Sequence, residues 1–568
     1  MFAAGAFFAC GSLDPEARDP FPVPSTGVVA SPDPRVTGAA LEILGRGGNA
    51  ADAAVAGALM LSVVRPGAGP LGGGGVAVWV AVDPRAEPRV LDFREAVPTG
   101  LDPALLCDES GAWVPARARD GGLAVGVPGG WIGLHGFQRA VGRLSFAEVA
   151  RPAIELARRG VPASAELRAR LAADPALAAV FTSGAPLPEE GAPLSQEALA
   201  RFLETLAQRG PEGLLETAGA EALCAAVRAR GGVLERSDLQ AYRPLWSSGL
   251  EGWFRGLEIV SAPPPSLGGS VFLESLLVLD GFPLDAEIER ANLAAASMGQ
   301  EVREEMRGLS SRALHWCVEA LRLSTEDVHH VARAADPSAT LRERLAPEHV
   351  VSQRVLIGES AHARGSWIDG EGESAGGEST IVVLDRAGNA VSLALGLGPS
   401  FGSGVFVPET GFFLNGAIDS FFLGDGGAGE PTGLAPGARP PTWRTPVVAR
   451  EGGSSIAWVL GSSGGIRAPQ ALLQVFLRSE VHGQALEDAI GGPRLGLARA
   501  EGTLEFEPAW DPALLRGLER RQHVLVQQEG AYGIVQAIRA KPIEVPAAAS
   551  DPRSSGSAGT QGMRSRGR

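Results

Sequence analysis

The sequence predicts an α+β chain in which helices pack on sheets as one sandwich. Three observations carry that expectation. Residues 49–64 read as a helix apolar nearly all round, and such a helix is buried on most of its faces. Residues 75–82, GVAVWVAV, read as a strand that is apolar on both sides, as a strand covered from above and below is. The pattern then turns from helical to strand-rich across residues 359–378, ESAHARGSWIDGEGESAGGE, an aperiodic Gly-, Ser- and acid-rich stretch that reads as a flexible linker.

The elements follow in order. Residues 13–34 form a Pro- and Asp-rich extended lead. Ala39, Leu41 and Leu44 mark a short helix from Val36, closed by Gly45, Gly47 and Gly48. After the 49–64 helix, PGAGPLGGGG at residues 66–75 makes a sharp loop. Amphipathic helices are predicted at 145–159, 196–208, 219–230 and 292–323, the last interrupted around Gly308. Beyond the linker, strands are predicted at 380–384, 390–395, 456–460 and 502–507, with a helix at 469–479. The Ser/Gly/Arg-rich tail, 547–568, reads as disordered.

Composition narrows the function. The 568 residues carry 50 Lys+Arg against 65 Asp+Glu, a net charge of −15, which argues against nucleic-acid binding because phosphate contacts need clustered cations. Four scattered cysteines make neither a zinc cluster nor a disulfide framework; Cys107 and Cys224 are the conceivable pair, free thiols the simpler reading. MFAAGAFFAC at residues 1–10 resembles the tail of a secretory apolar region, with Cys10 as the lipid-bearing residue of a lipoprotein signal. That reading implies export to the periplasm or outer surface; a truncated start or a floppy terminus is the plain alternative. No other segment is long and apolar enough to span a membrane. No metal or cofactor is expected: the eight His are scattered, and His329 and His330 are neighbours on a helix read as exposed, so they face different ways.

Two junctions carry chemistry. Gly461-Ser462-Ser463-Gly464-Gly465 follows a strand and precedes a helix, so it satisfies G-x-S-x-G with Ser463 as an elbow nucleophile and His482 or His523 as its base. The favoured reading of the same loop is a helix start whose Gly464 and Gly465 N–H groups form an oxyanion site without a nucleophile. The second junction is Gly376-Gly377-Glu378-Ser379-Thr380, from linker into strand. Self-cleavage before a hydroxyl residue there would free an α-amine whose ordinary pKa of about 7.7–8.0 suits a general base.

Motifs in register link the chain to a known family from about Pro32 to about Arg553. Gly47-Gly48-Asn49-Ala50-Ala51-Asp52-Ala53-Ala54, Pro70-Leu71-Gly72-Gly73-Gly74-Gly75, Asp92-Phe93-Arg94-Glu95, Gly126-Val127-Pro128-Gly129, Gly388-Asn389-Ala390-Val391 and Asp551-Pro552-Arg553 occur in order. By these the chain resembles the γ-glutamyltransferase (glutathione hydrolase) family of N-terminal-nucleophile hydrolases. The resemblance implies a four-layer αββα sandwich, made as a proenzyme that cuts itself before a Thr. It would act on a small γ-glutamyl substrate such as glutathione, with no cofactor. It also implies a division into a lead at 1–24, a large-subunit-like part at 25–377, a small-subunit-like part at 378–546 and the tail, the two middle parts pairing once processed. Arg94 falls where the family grips the substrate α-carboxylate, and Gly464 and Gly465 fall on the oxyanion donors.

The departures fall on the chemistry. Counted back from Gly388-Asn389-Ala390, the family's nucleophilic Thr aligns with Glu378, which cannot carry out the acyl shift. A two-residue deletion would put Thr380 in its place, and strand alternation favours Thr380 over Ser379. The family's supporting Thr and Asn fall on Gly396 and Gly398. The acid for the substrate α-amine falls on Ser420, with Asp419 beside it, and the carboxylate-binding Ser pair falls on Thr442 and Trp443, where a Trp is expected to crowd a glutamyl group. Three functions follow: a γ-glutamyl hydrolase or transferase using Thr380 or Ser379, a catalytically silent exported binding or structural protein, and a serine esterase using Ser463.

Overall fold

The computed structural model describes residues 26–297, 303–362, 375–421, 433–497, 503–541 and 544–561. The predicted leader, the middle of the linker and the last seven residues of the tail lie outside them.

The helix predicted at 49–64 is Ala50–Val64, and every one of its residues is buried. Asn49 starts it by accepting from the Ala51 and Asp52 N–H groups, while Asp52 accepts from the Asn49 N–H in return. The predicted 75–82 strand is Gly74–Val80, wholly buried, within a seven-stranded antiparallel sheet. Its order is Ser557–Thr560, Val28–Ser31, Glu378–Leu384, Ala390–Gly396, Gly74–Val80, Arg89–Asp92 and Leu245–Ser248. A six-stranded sheet faces it, ordered Ala547–Ser550, Ile534–Arg539, Ser455–Ser463, Thr445–Glu451, Leu257–Ser261 and Leu250–Phe254.

The two sheets meet through Val76, Val78, Val382 and Leu384 on one side and Val448, Val459 and Ile538 on the other. Ile381 and Val383, which point the opposite way, pack into the core shared with Ala50–Val64, Phe146–Arg159 and Glu197–Leu215. Gly268–Leu279, Ser311–Arg333 and Arg467–Glu480 cover the outer face of the second sheet. The architecture is therefore the four-layer αββα sandwich. Among the described residues no helix is long and apolar enough to cross a membrane, and Cys107, Cys224 and Cys317 are free thiols.

Three expectations change. The tail is not disordered through residue 561: Ala547–Ser550 pairs with Ile534–Arg539, and Ser557–Thr560 closes the edge of the first sheet against Val28–Ser31. Its small residues are poor indicators of order because what holds them is backbone pairing, not side-chain burial. The helix predicted at 292–323 is two helices, Leu284–Ser297 and Ser311–Arg333, with Gly308 between them at φ 73°. The second of these carries His329 and His330 and is largely buried.

Candidate active site

The strand Glu378–Leu384 begins at the residue paired with Gly396, so Glu378 stands at the end of the sheet. It looks toward the second sheet, on the same side as Val382 and Leu384. Opposite, Ser455–Ser463 ends in Gly464 and Gly465, at φ 128° and 57°, which turn the chain into the Arg467–Glu480 helix. Their N–H groups converge on Glu378 Oε2 at 3.5 Å each, a long contact whose charge-to-dipole sense is favourable. Arg444 Nε donates to Glu378 Oε1 at 3.3 Å, and the Arg444 guanidinium lies 3.7 Å from Glu95 Oε2. All three charged side chains are buried. The cradle is thus two backbone donors and one guanidinium, closed by a carboxylate of the same chain.

The surrounding backbone leaves no room for more. A Cβ on Gly396 would lie 2.4 Å from the Gly377 carbonyl oxygen and 3.0 Å from the Glu378 Cα, so no side chain fits there without moving the strand. Ser379 and Thr380 are both buried, and neither hydroxyl has a hydrogen-bond partner. Thr380 pairs with Ala394 inside the sheet, and its Cγ2 comes within 2.3 Å of where a Gly461 Cβ would sit. Thr380 therefore shares the Glu378 face but sits two residues deeper, about 6–7 Å along the strand.

Arg94 does not present a free guanidinium. It grips Asp92 with Nε at 3.1 Å and Nη2 at 2.6 Å, and Nη1 donates to the Pro440 carbonyl at 2.7 Å. Arg439 joins the same Asp92 oxygen at 2.7 Å. Burial alone would raise the Asp92 carboxyl; Arg94 and Arg439 outweigh it and hold it below the usual carboxylate range. The Arg94 guanidinium is thereby engaged within the fold by Asp92 and Pro440. Arg94→Lys, which cannot form the fork, is expected to lower unfolding stability by about 1–3 kcal/mol in urea titration; an unchanged midpoint would show the fork to be dispensable.

Asp419 and Ser420 lie on the buried turn Ala417–Phe421, where Asp419 Oδ1 accepts from Arg119 Nε at 3.1 Å. Thr442 is sewn to the loop before Gly268: its N–H donates to Pro265 at 3.0 Å and its carbonyl accepts from Leu267 at 2.7 Å. Trp443 points away from the cradle into the core beneath the second sheet, so it does not crowd the site as expected. The side chain that enters instead is Arg444, one residue on, which sequence reasoning missed. No local signal marks it, because residues 442–444 precede the strand Thr445–Glu451 and are oriented by the bridge from Thr442 to Ser266.

Ser463 gains no base from its proposed partners. His482 Nδ1 is bonded to the Gly308 carbonyl at 3.1 Å and His523 Nε2 to His315 Nδ1 at 2.8 Å. Burial pushes the His482 imidazole down to about 4. Because this is below the ordinary value of about 6.5, the unfolded chain binds the extra proton first. His482 thus contributes stability that is complete above pH 6.5 and is lost as pH falls toward 4, by up to about 1.4 kcal/mol per pH unit. His482→Gln should flatten that slope in melts between pH 7 and 4; parallel wild-type and variant curves would contradict it.

Away from the cradle, two groups of metal-type side chains come together that their sequence spacing did not reveal: His315, Glu319 and His523, and Glu274, Asp327 and His349.

Comparison with known proteins gives the context. Residues 37–560 match the family model described as Gamma-glutamyltranspeptidase. The glutathione hydrolase proenzyme of Pseudomonas sp. (strain A14) is 29% identical over 519 residues, covering 86% of this chain and 84% of that protein. The acylase ACY 1 proenzyme of Pseudomonas sp. (strain SE83) is 31% identical over 537 residues, covering 91% and 90%. The solved cephalosporin acylase from Bacillus halodurans has the same fold, with a TM-score of 0.78 over 98% of this chain and 99% of that one at 24% identity.

Proposed function

Because the chain belongs to the gamma-glutamyltranspeptidase family, we propose that the Gly464–Gly465–Arg444 cradle corresponds to the family's acyl-amide site and that this chain keeps it closed with Glu378. On this reading the protein is an uncleaved, acyl-transfer-silent member that retains the scaffold and an anion-binding cradle. One observation carries the reading. The Glu378 carboxylate lies 3.5 Å from both backbone donors and 3.3 Å from Arg444, in the place where a reacting acyl oxygen needs those donors.

The chemistry points the same way. Cutting the backbone by an N→O acyl shift needs a hydroxyl or thiol on the residue after the broken bond, and Glu378 has neither. Loss of one oxyanion or positioning group typically costs about 10²–10³ in rate. Here the nucleophile is replaced and its two supporting side chains are reduced to Gly396 and Gly398.

A second reading has its own support. The unpartnered hydroxyls of Ser379 and Thr380 are what a concealed nucleophile looks like before processing, and the relatives are named proenzymes. Self-cleavage before Thr380 would then give a paired large and small subunit acting on a γ-glutamyl amide such as glutathione. It requires the strand to advance by about 6–7 Å.

Intact-mass spectrometry combined with a γ-glutamyl anilide assay separates the two. One unbroken chain across residues 376–381 and no anilide release above the buffer blank are expected. A smaller fragment beginning at Thr380 or Ser379, with turnover, would overturn the silent reading in favour of the second.

A further inference from the structure

The helical layer under the second sheet holds a polar cluster unrelated to the cradle. Glu274, on the Gly268–Leu279 helix, is completely buried; neither of its carboxylate oxygens meets a donor, and the Asp327 carboxylate lies within hydrogen-bonding reach of it. Facing it are Asp327, on the Ser311–Arg333 helix, and His349, on Pro347–Leu356; one ligand atom from each of the three lies within 4.8 Å of the others. Gln353, one turn beyond His349, completes the group and is itself buried.

The contacts inside the cluster do not make sense as hydrogen bonds alone. Asp327 Oδ2 is 2.5 Å from His349 Nε2 and 2.7 Å from Gln353 Nε2, and those two nitrogens are 2.8 Å apart. If both nitrogens donate to the carboxylate, their hydrogens oppose each other. If the imidazole accepts from the amide, its lone pair faces the carboxylate. Meanwhile Gln353 Oε1 is buried with no partner. Turning the amide over, which exchanges its O and N, would bring that oxygen to the same point. The cluster then offers two carboxylates, one imidazole and one amide oxygen converging on one centre.

We infer that Glu274, Asp327, His349 and Gln353 form a binding site for a divalent first-row transition cation of the zinc or manganese kind, a structural staple joining three helices. Imidazole with carboxylate oxygens suits such ions. Ligand atoms at about 2.0–2.2 Å from zinc stand about 3.3–3.6 Å apart, so admitting the ion opens the Asp327, His349 and Gln353 contacts by about 0.5–1.1 Å, while Glu274 already stands within 4.8 Å. The second shell is in place: Arg344 Nη1 holds Asp327 Oδ1 at 3.1 Å, leaving Oδ2 for the ion. The His349 side chain is 21% exposed and gives a route from solvent. The staple pins the last helix before the linker to the helix that begins at Gly268, beside the loop sewn to Thr442. The rival state is a proton held by Glu274, which burial and the adjacent Asp327 carboxylate favour in the absence of an ion.

The test uses the full-length protein. Material purified without chelator should carry about one zinc or manganese per chain by elemental mass spectrometry. After chelation, calorimetric titration with ZnCl2 or MnCl2 should show one site. Glu274→Gln and His349→Ala should each weaken it at least about 100-fold, while their circular dichroism in chelator matches the wild type. Because His349 is partly exposed, its variant guards against a simple folding failure. Wild-type protein that binds neither ion with a Kd below about 1 mM would overturn the site in favour of the shared proton. So would variants that bind as tightly as wild type.

Discussion

Asp551→Ala is expected to lower unfolding stability by about 3–5 kcal/mol, because it leaves a buried cation without its counter-ion. Arg494 is fully buried, and its Nη2 lies 2.7 Å from Asp551 Oδ2. Burial pushes the Arg494 guanidinium down and Asp551 opposes that shift. The same carboxylate accepts from the Val535 N–H at 2.9 Å and from the Arg553 N–H at 3.0 Å, so it also holds the return of the chain toward the sheet edge. The direct partners left to the Arg494 guanidinium after the substitution are the neutral carbonyls of Ile490, Tyr532 and Gly533, and the nearby Glu507 carboxylate is already engaged by Arg553. A urea titration reads the change as a lower midpoint at unchanged slope. A loss below about 1 kcal/mol would mean that the ordered tail is an ornament of the fold and not part of it.

Glu378→Ala is expected to open the cradle and raise its affinity for small carboxylates such as glutamate by at least about 10²-fold. The tethered carboxylate of the wild type competes with any free ligand at a high effective concentration. Once it is gone, Gly464, Gly465 and Arg444 face the vacated position, with Glu95 3.7 Å from the Arg444 guanidinium. Isothermal titration of both proteins with glutamate measures the difference. Equal affinities would show that Glu378 does not occupy the binding position. Glu378→Ala should gain no anilide turnover, since it supplies no nucleophile; turnover in this variant would place the reacting group elsewhere.

The sequence showed most of what local patterning can show. The all-round apolar run at Ala50–Val64 and the doubly covered strand at Gly74–Val80 determine which layers exist, and both were legible because burial on every face leaves no polar alternation. The oxyanion-type turn was legible because Gly464 and Gly465 sit between a strand and a helix. Glu378 was legible by counting from Gly388-Asn389-Ala390, a register that a β-ladder preserves. What stayed hidden depended on partners far along the chain. The direction of Trp443 is decided by the bridge from Thr442 to Ser266, and the commitment of Arg94 is completed by Pro440 and by Arg439 on the shared Asp92. The order of the tail comes from pairing with Val28–Ser31 and Ile534–Arg539. Likewise Glu274, Asp327 and His349 are brought together only when three helices pack, so no spacing rule finds them.

The strand Val28–Ser31 has one neighbour from the end of the chain, Ser557–Thr560, and another from its second part, Glu378–Leu384. A nick anywhere in residues 363–374 would therefore yield two pieces that remain interlaced, the first threaded between two strands of the second. Neither could leave without unzipping a sheet, so a clipped molecule would sediment as one particle and betray its break only once denatured.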